Sequence, residues 1–170
     1  MKSLVIYFSR ADENYFGGQM RYITKGNTEV VAEYIRDIVG ADLFKVERKV
    51  PYSKDYMTCI KEAQNEQRRN ELPEIVKSLD NIDAYDVIFI GGPIYWGTLP
   101  QPMFTQLSKL NFNGKIIMPF STHEGSGLAG VVRDIKKYAQ NATIKPGLAI
   151  VGSTVNASKV EVEKWIKDNL

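Results

Sequence analysis

Five short apolar runs punctuate the chain: Leu4 to Phe8, Leu43 to Glu47, Val87 to Ile90, Lys115 to Phe120 and Leu148 to Val151. Each has the length of a β-strand. Three of them, Leu-Val-Ile-Tyr-Phe, Val-Ile-Phe-Ile and Ile-Ile-Met-Pro-Phe, lack the in-out alternation of a half-wet strand. Near-continuous apolar runs fit strands covered by helices on both faces. Pro119 sits inside the fourth run, where proline removes a ladder donor. The expected placement is near that strand's carboxyl end, where neighbours splay.

Between the runs the period changes to that of a helix. Val30, Val31, Tyr34, Ile35 and Ile38 make one apolar stripe, and Leu128, Val131, Val132, Ile135 and Ala139 make another. Met103, Phe104, Leu107 and Leu110 form a third, opened by Pro100 and Pro102, which suit a first turn. The segment Tyr52 to Asn70 repeats Tyr56, Ile60, Ala63 and Gln67 on one side and stops before Pro73. Its charges, Lys61 and Arg68-Arg69 among Glu62, Glu66 and Glu71, read as a solvated face. A last helix starts at the capping box Ser158-x-x-Glu161 and turns Val162, Trp165 and Ile166 inward. Strands alternating with helices predict right-handed βαβ units, hence an α/β fold with a three-layer, doubly wound parallel sheet. No linker, repeat or low-complexity tract divides residues 1–170, so one domain is expected.

Composition narrows the function classes. The chain is 44% hydrophobic and 25% charged, ordinary for a globular protein. No apolar run is long enough for a membrane span, and Met1-Lys2-Ser3-Leu4 enters a strand with no cleavage-site pattern. The single cysteine, Cys59, excludes an internal disulfide, so a reducing, cytoplasmic setting is expected. It reads as a packed thiol. Net charge is +2 with both signs interspersed, so neither a nucleic-acid nor a membrane partner is expected. One histidine and one cysteine are too few for the common zinc sites, and no nucleophile elbow is present.

Candidate chemistry lies in the three loops that leave the strands' carboxyl ends, where open α/β sheets bind ligands. In the first, Ser9 closes a strand and Gly26-Asn27-Thr28 opens a helix. Free N–H groups and the helix dipole there favour an anion. Asn27 reads equally well as a plain helix cap. In the second, Gly91-Gly92-Pro93 leads to Tyr95 and Trp96, which either pack on the fold or stack on a flat ligand. The third, Ser121-Thr122-His123-Glu124-Gly125-Ser126-Gly127, offers hydroxyls, backbone donors and the sole histidine. Its plainer reading is a turn with Ser126 capping the next helix. A ligand shared by all three loops explains them together.

These residues resemble the flavodoxin-like family, in particular its FMN-binding members. The family's first-loop pattern looks split into Ser9 and Thr24-Lys25-Gly26-Asn27-Thr28, Pro93-Ile94-Tyr95-Trp96-Gly97 is similar to its second flavin loop, and Ser121 to Gly127 looks like its third. The resemblance covers essentially the whole chain and implies a five-stranded sheet in the order 2-1-3-4-5. It implies FMN as cofactor, held by Ser9, Arg10, Thr24, Gly26, Asn27, Thr28, Pro93, Ile94, Tyr95, Trp96, Gly97, Ser121, Thr122, His123 and Gly125. The departure is the insert Arg10 to Ile23, containing Asn14-Tyr15-Phe16-Gly17-Gly18. It reads as an ordered flap, and Tyr15 and Arg21 are further phosphate candidates.

The implied function is electron transfer through non-covalent FMN, serving redox partner proteins or a small-molecule acceptor. Protonated His123 would be a cation able to stabilise an anionic reduced flavin. Electron-carrying flavodoxins are usually acidic, and this chain is slightly basic. That keeps a second class open, an NAD(P)H-dependent quinone or flavin oxidoreductase, and a third, a non-redox module for a phospho-ligand or partner.

Overall fold

Strand β1 (Ser3–Tyr7) organises the molecule, because its alternating side chains seed two separate cores. In the computed structural model, which describes all 170 residues, Leu4 and Ile6 enter one core and Val5 and Tyr7 the other. The first core takes Cys59 and Ala63 from α2 (Tyr56–Arg68), Met103 and Leu107 from α3 (Gln101–Leu107), and Val131 and Ile135 from α4 (Val131–Tyr138). The second takes Val31 and Ile35 from α1 (Asn27–Val39) and Val162, Trp165 and Ile166 from α5 (Lys159–Asn169). Helices therefore cover both faces, as fully apolar strands require.

Around β1 lie β4 (Asp42–Lys45) on one side and β5 (Val87–Pro93), β6 (Ile116–His123) and a divided last strand on the other. That last position is filled by β7 (Thr143–Ile144) and β8 (Leu148–Val151), both paired with β6. All these pairings are parallel, and the five positions run 2-1-3-4-5.

The division has a local cause. Pro119 is not near the end of β6 but mid-strand, level with Ile90 of β5. Ile117 O accepts from Lys145 N at 2.9 Å, so with a period of two the Pro119 nitrogen faces the same neighbour. It has no proton to give. The outer strand breaks there, at Lys145-Pro146-Gly147, between β7 and β8.

Other expectations change at the element ends. β5 continues through Gly91 and Gly92, and β6 through Ser121, Thr122 and His123, because these residues stay in the ladder, Gly92 with Ser121, Pro93 with Thr122 and His123 with Val151 of β8. Gly91 has to be glycine: a Cβ there would sit 2.4 Å from the Phe120 ring. Helix α2 starts at Tyr56 rather than Tyr52, behind the N-cap Asp55. Ser158 holds the N-cap position of α5, with Val162 N donating to its carbonyl at 3.0 Å, but its hydroxyl donates back to Val155 O at 2.7 Å instead of capping the helix. Glu66 is not on a solvated face either. It is 2% exposed, ion-paired to Arg48 at 2.9 Å and hydrogen-bonded by the Tyr52 hydroxyl.

The insert is an antiparallel hairpin, β2 (Asp12–Phe16) with β3 (Gln19–Ile23). Its turn residues Gly17 and Gly18 have φ of 62° and 75°, the pair of positive values that a tight hairpin turn needs.

Candidate functional site

Helix α1 begins without a side-chain cap of its own. Gly26 holds the N-cap in extended conformation, and Ser9 reaches across so that its Oγ accepts from Glu29 N at 3.0 Å. The Asn27 and Thr28 amides precede any possible intrahelical acceptor, so they remain open to an outside anion, aided by the helix dipole. Nothing larger than glycine fits at position 26. A Cβ would lie 2.2 Å from Ser9 Oγ and 2.6 Å from Arg10 O. Backbone is thereby held close around the helix start.

The carboxyl ends of β1, β5 and β6 meet this helix start around a cavity of about 230 Å³. Arg10, Asn27, Thr28, Pro93, Ile94, Tyr95, Thr122 and His123 all line it, so the three predicted loops do converge. Thr28 and Thr122 are buried, with their hydroxyl oxygens 2.7 Å apart. One hydroxyl hydrogen is spent on that bond and the second is free for a ligand. His123 Nδ1 accepts from Gly125 N at 2.9 Å, so the neutral ring carries its proton on Nε2.

An apolar slot of about 240 Å³ adjoins this cavity, sharing Tyr56, Ile94 and Tyr95 with it and adding Cys59, Ile60, Ala63 and Trp96. Of the two readings open for the aromatic pair, Tyr95 does not stand as an open stacking platform. Instead its ring packs edge-on against Phe8 and Tyr52, with centroids 5.8 and 5.9 Å away, and forms a wall. Burial pushes the phenols of Tyr95 and Tyr56 and the thiol of Cys59 upward, so all three stay neutral in ordinary buffers.

Trp96 is the unusual wall. Tyr95 N donates to Thr98 O at 2.7 Å, closing a turn whose central residues Trp96 and Gly97 have φ of 54° and 82°. A tryptophan in that left-handed region is strained. Its indole N–H donates to Ile60 O at 2.8 Å, and Gln67 Nε2 donates to the Tyr95 and Trp96 carbonyls. The ring is 48% exposed on the slot, away from the helix-start cavity.

The remaining predicted residues do not touch the cavity. Ser9 and Gly26 act at its edge through the cap. Thr24, Gly97 and Gly125 are exposed outside its lining, and Ser121 is buried with its hydroxyl donating to Gly127 O at 2.9 Å. Arg21 lies over the Phe16 ring, outside the lining. Tyr15 does line the cavity, 6.3 Å from Tyr56 between ring centroids.

Six lining residues, Asn14, Phe16, Tyr56, Glu124, Ser126 and Gly152, lie outside the site set that the sequence predicts. The hairpin brings in the first two and is fastened over the site by Tyr56 N donating to Glu13 Oε1 at 2.9 Å. Gly152 stands just after β8, at the exit of the fifth strand position, which the same carboxyl-end rule could have flagged. A Cβ at Gly152 would meet Asn27 Nδ2 and Glu124 Oε1, each at 2.7 Å.

An anion-ready helix start beside a largely apolar slot fits a ligand with a phosphate at one end and a flat ring at the other. The family model for flavodoxin matches residues 19–169. Among solved structures, the chain is similar to a candidate flavoprotein from Bacteroides eggerthii DSM 20697, with 26% identity and a TM-score of 0.75 over 98% of this chain and 96% of that one. A candidate flavoprotein from Bacteroides uniformis ATCC 8492 also gives 0.75, at 23% identity over 98% and 97%. A flavoprotein from Lactobacillus acidophilus NCFM, solved in complex with FMN, gives 0.61 at 23% identity over 92% and 97%. No curated protein matches the chain.

Proposed function

The chain belongs to the flavodoxin family, and on that premise we propose that it binds FMN non-covalently and transfers electrons through it. The observation that carries this reading is the contiguity of two unlike surfaces. The open Asn27 and Thr28 amides, with the free hydroxyl hydrogen of the Thr28–Thr122 pair, hold the phosphate. The walls formed by Tyr56, Ile94, Tyr95 and Trp96 exclude water from the ring. His123 offers its Nε2 proton as a donor, and the hairpin with Tyr15 covers the site. Bound FMN would supply one- and two-electron chemistry that no side chain here provides.

A second reading is favoured by one specific observation, the net charge of +2. Docking on a basic protein partner by electrostatic steering calls for an acidic surface. Without one, reduction by a nicotinamide nucleotide and delivery to a small acceptor is the alternative within the same flavin site.

Titration of the apoprotein with FMN, followed by visible absorbance and by quenching of flavin fluorescence, tests the first reading. Saturable binding at one site, with riboflavin binding more weakly for want of the phosphate, is expected. Failure to bind either flavin would overturn it. Anaerobic mixing of the flavin-loaded protein with NADPH then separates the two redox roles, since only the reductase bleaches directly.

A further inference from the structure

The β2–β3 hairpin reaches from one face of the sheet to the other across the helix-start cavity. Asn14, Tyr15 and Phe16 line that cavity together with Asn27 and Thr28. At its root the hairpin is tied to the α2 side. Glu13 Oε1 accepts from Tyr56 N, an amide at the first residue of α2 that has no intrahelical acceptor. Arg10 adds two bonds there, Nε to Glu13 O at 2.9 Å and a terminal nitrogen to Lys54 O at 3.0 Å. At its turn the hairpin rests on the 3-10 helix Gly152–Ala157 that follows β8. A Cβ at Gly152 would lie 3.2 Å from Phe16 Cβ, and one at Gly17 would lie 3.4 Å from Ser153 Cβ.

The two ends are held unequally. Polar bonds fasten the root, whereas the turn has only van der Waals contact with Gly152 and Ser153. No residue of β2 or β3 is buried, and neither strand pairs with the main sheet. Segments with so few buried contacts open at low cost. The hairpin can still move as one piece, since a five-residue ladder and the glycine turn hold its strands together. A bend is already built in at the root, where Asp12 takes a φ of 70°, left-handed backbone in a residue that is not glycine.

We propose that the hairpin is a hinged lid: its turn lifts off Gly152 and Ser153 to let FMN reach the start of α1, and closes over the phosphate end once the cofactor is seated. The inference rests on the FMN reading and deepens it by naming what controls cofactor exchange. Glu13 and Arg10 anchor the hinge, and Phe16 is the side chain that closes against the exit of the fifth strand position. Entry and departure are then both limited by opening of the lid, so FMN behaves as a resident group rather than a freely exchanging ligand.

The test is a reversible clamp. The double variant Gly17→Cys with Ser153→Cys puts two thiols where the β-carbons come within reach of a disulfide, while Cys59 is buried. Uptake of FMN by the apoprotein is followed by flavin fluorescence after rapid mixing, on the oxidised variant and on the same protein reduced with a phosphine. The oxidised form is expected to take up FMN at least about tenfold more slowly. FMN loaded before oxidation should be released more slowly by the same factor. Equal rates in the two states overturn the lid. Cysteine at position 17 carries the strain of a φ of 62°, so Phe16→Ala decides the matter if the double variant does not fold. Phe16 belongs to neither core, and its loss should raise association and release together, each about fivefold, with little change in Kd. Faster release with an unchanged association rate would make Phe16 a fixed wall and overturn the lid. Absence of flavin binding in wild type would overturn the FMN reading itself, and the lid with it.

Discussion

Thr28 Oγ1 and Thr122 Oγ1 lie 2.7 Å apart, joining the first turn of α1 to the carboxyl end of β6 across 94 residues of chain. Both side chains are buried, so the bond stands in place of water for each hydroxyl. Replacing one partner strands the other without a mate. Thr28→Val or Thr122→Val alone should cost about 1–3 kcal/mol, whereas the double variant should cost less than the sum. Urea denaturation of the four proteins gives the coupling, and strict additivity would show that the pair contributes nothing as a pair.

Gly26→Ala tests the closeness of the backbone at the helix start. Position 26 has φ −65° and ψ 155°, which alanine adopts without strain, so any effect is steric. The added carbon would lie 2.6 Å from a backbone oxygen that cannot swing aside. A stability loss of about 1–3 kcal/mol is expected. FMN affinity should fall by more than about tenfold, since the Asn27 and Thr28 amides move with the loop. An alanine variant that binds FMN as tightly as wild type would detach this cradle from phosphate binding.

The sheet and the helix that starts at Gly26-Asn27-Thr28 were legible in the sequence, because apolar runs and a Gly-Asn-Thr helix start are local signals. What lay beyond was set by distant contacts. Gly91, Gly92, Ser121 and Thr122 look like loop residues until the β5–β6 ladder pairs them with Phe120, Ser121, Gly92 and Pro93. Glu66 sits among charges at helical spacing, and only Arg48 and Tyr52, from the strand-to-helix connection before α2, make its burial tolerable. The hairpin's Gly-Gly turn announced an ordered flap. Its seat over the cavity depends on Glu13 meeting Tyr56 N, a contact 43 residues apart that no window of sequence displays.

Glu66→Ala should be among the more damaging single changes outside the site. It removes the acceptor of the Tyr52 hydroxyl and the partner of Arg48 together, leaving two polar groups stranded. Breaking one side of a buried pair costs about 3–5 kcal/mol. Because Tyr52 also packs edge-on against Tyr95, the Tyr95 wall of the slot should loosen too. Thermal denaturation measures the first effect, and FMN titration at low temperature the second.

Trp96→Ala separates stacking from packing. The indole is half-exposed on the slot, and its N–H bonds to Ile60 O. Loss of ring burial should weaken FMN binding by about 1–3 kcal/mol. The apoprotein should lose stability as well, because the indole hydrogen bond goes while the alanine Cβ keeps the positive-φ strain, which only glycine would relieve. Trp96→Phe keeps a flat ring and should bind FMN nearly as wild type does. Equal dissociation constants for wild type and Trp96→Ala would remove Trp96 from the site.

Asp134 gives the fold a defined acid sensitivity. Burial by itself would raise its carboxyl, but hydrogen bonds from Arg133, Thr98 and Lys137 outweigh that and hold it down at about 2. A carboxyl depressed in the folded state binds protons more readily once unfolded. Its stabilisation is therefore complete above the unfolded value near 3.9 and fades as pH falls toward 2. Arg133 and Lys137 are both exposed, so solvent screening trims the contribution to about 1–2 kcal/mol. Asp134→Asn should be less stable than wild type by about that amount at pH 7. The gap should narrow between about pH 4 and pH 2, where only the wild type gains a proton on unfolding. Urea midpoints at several pH values follow the difference, and a gap that stays constant across that range would mean the carboxylate charge is not what holds Thr98 and α4 together.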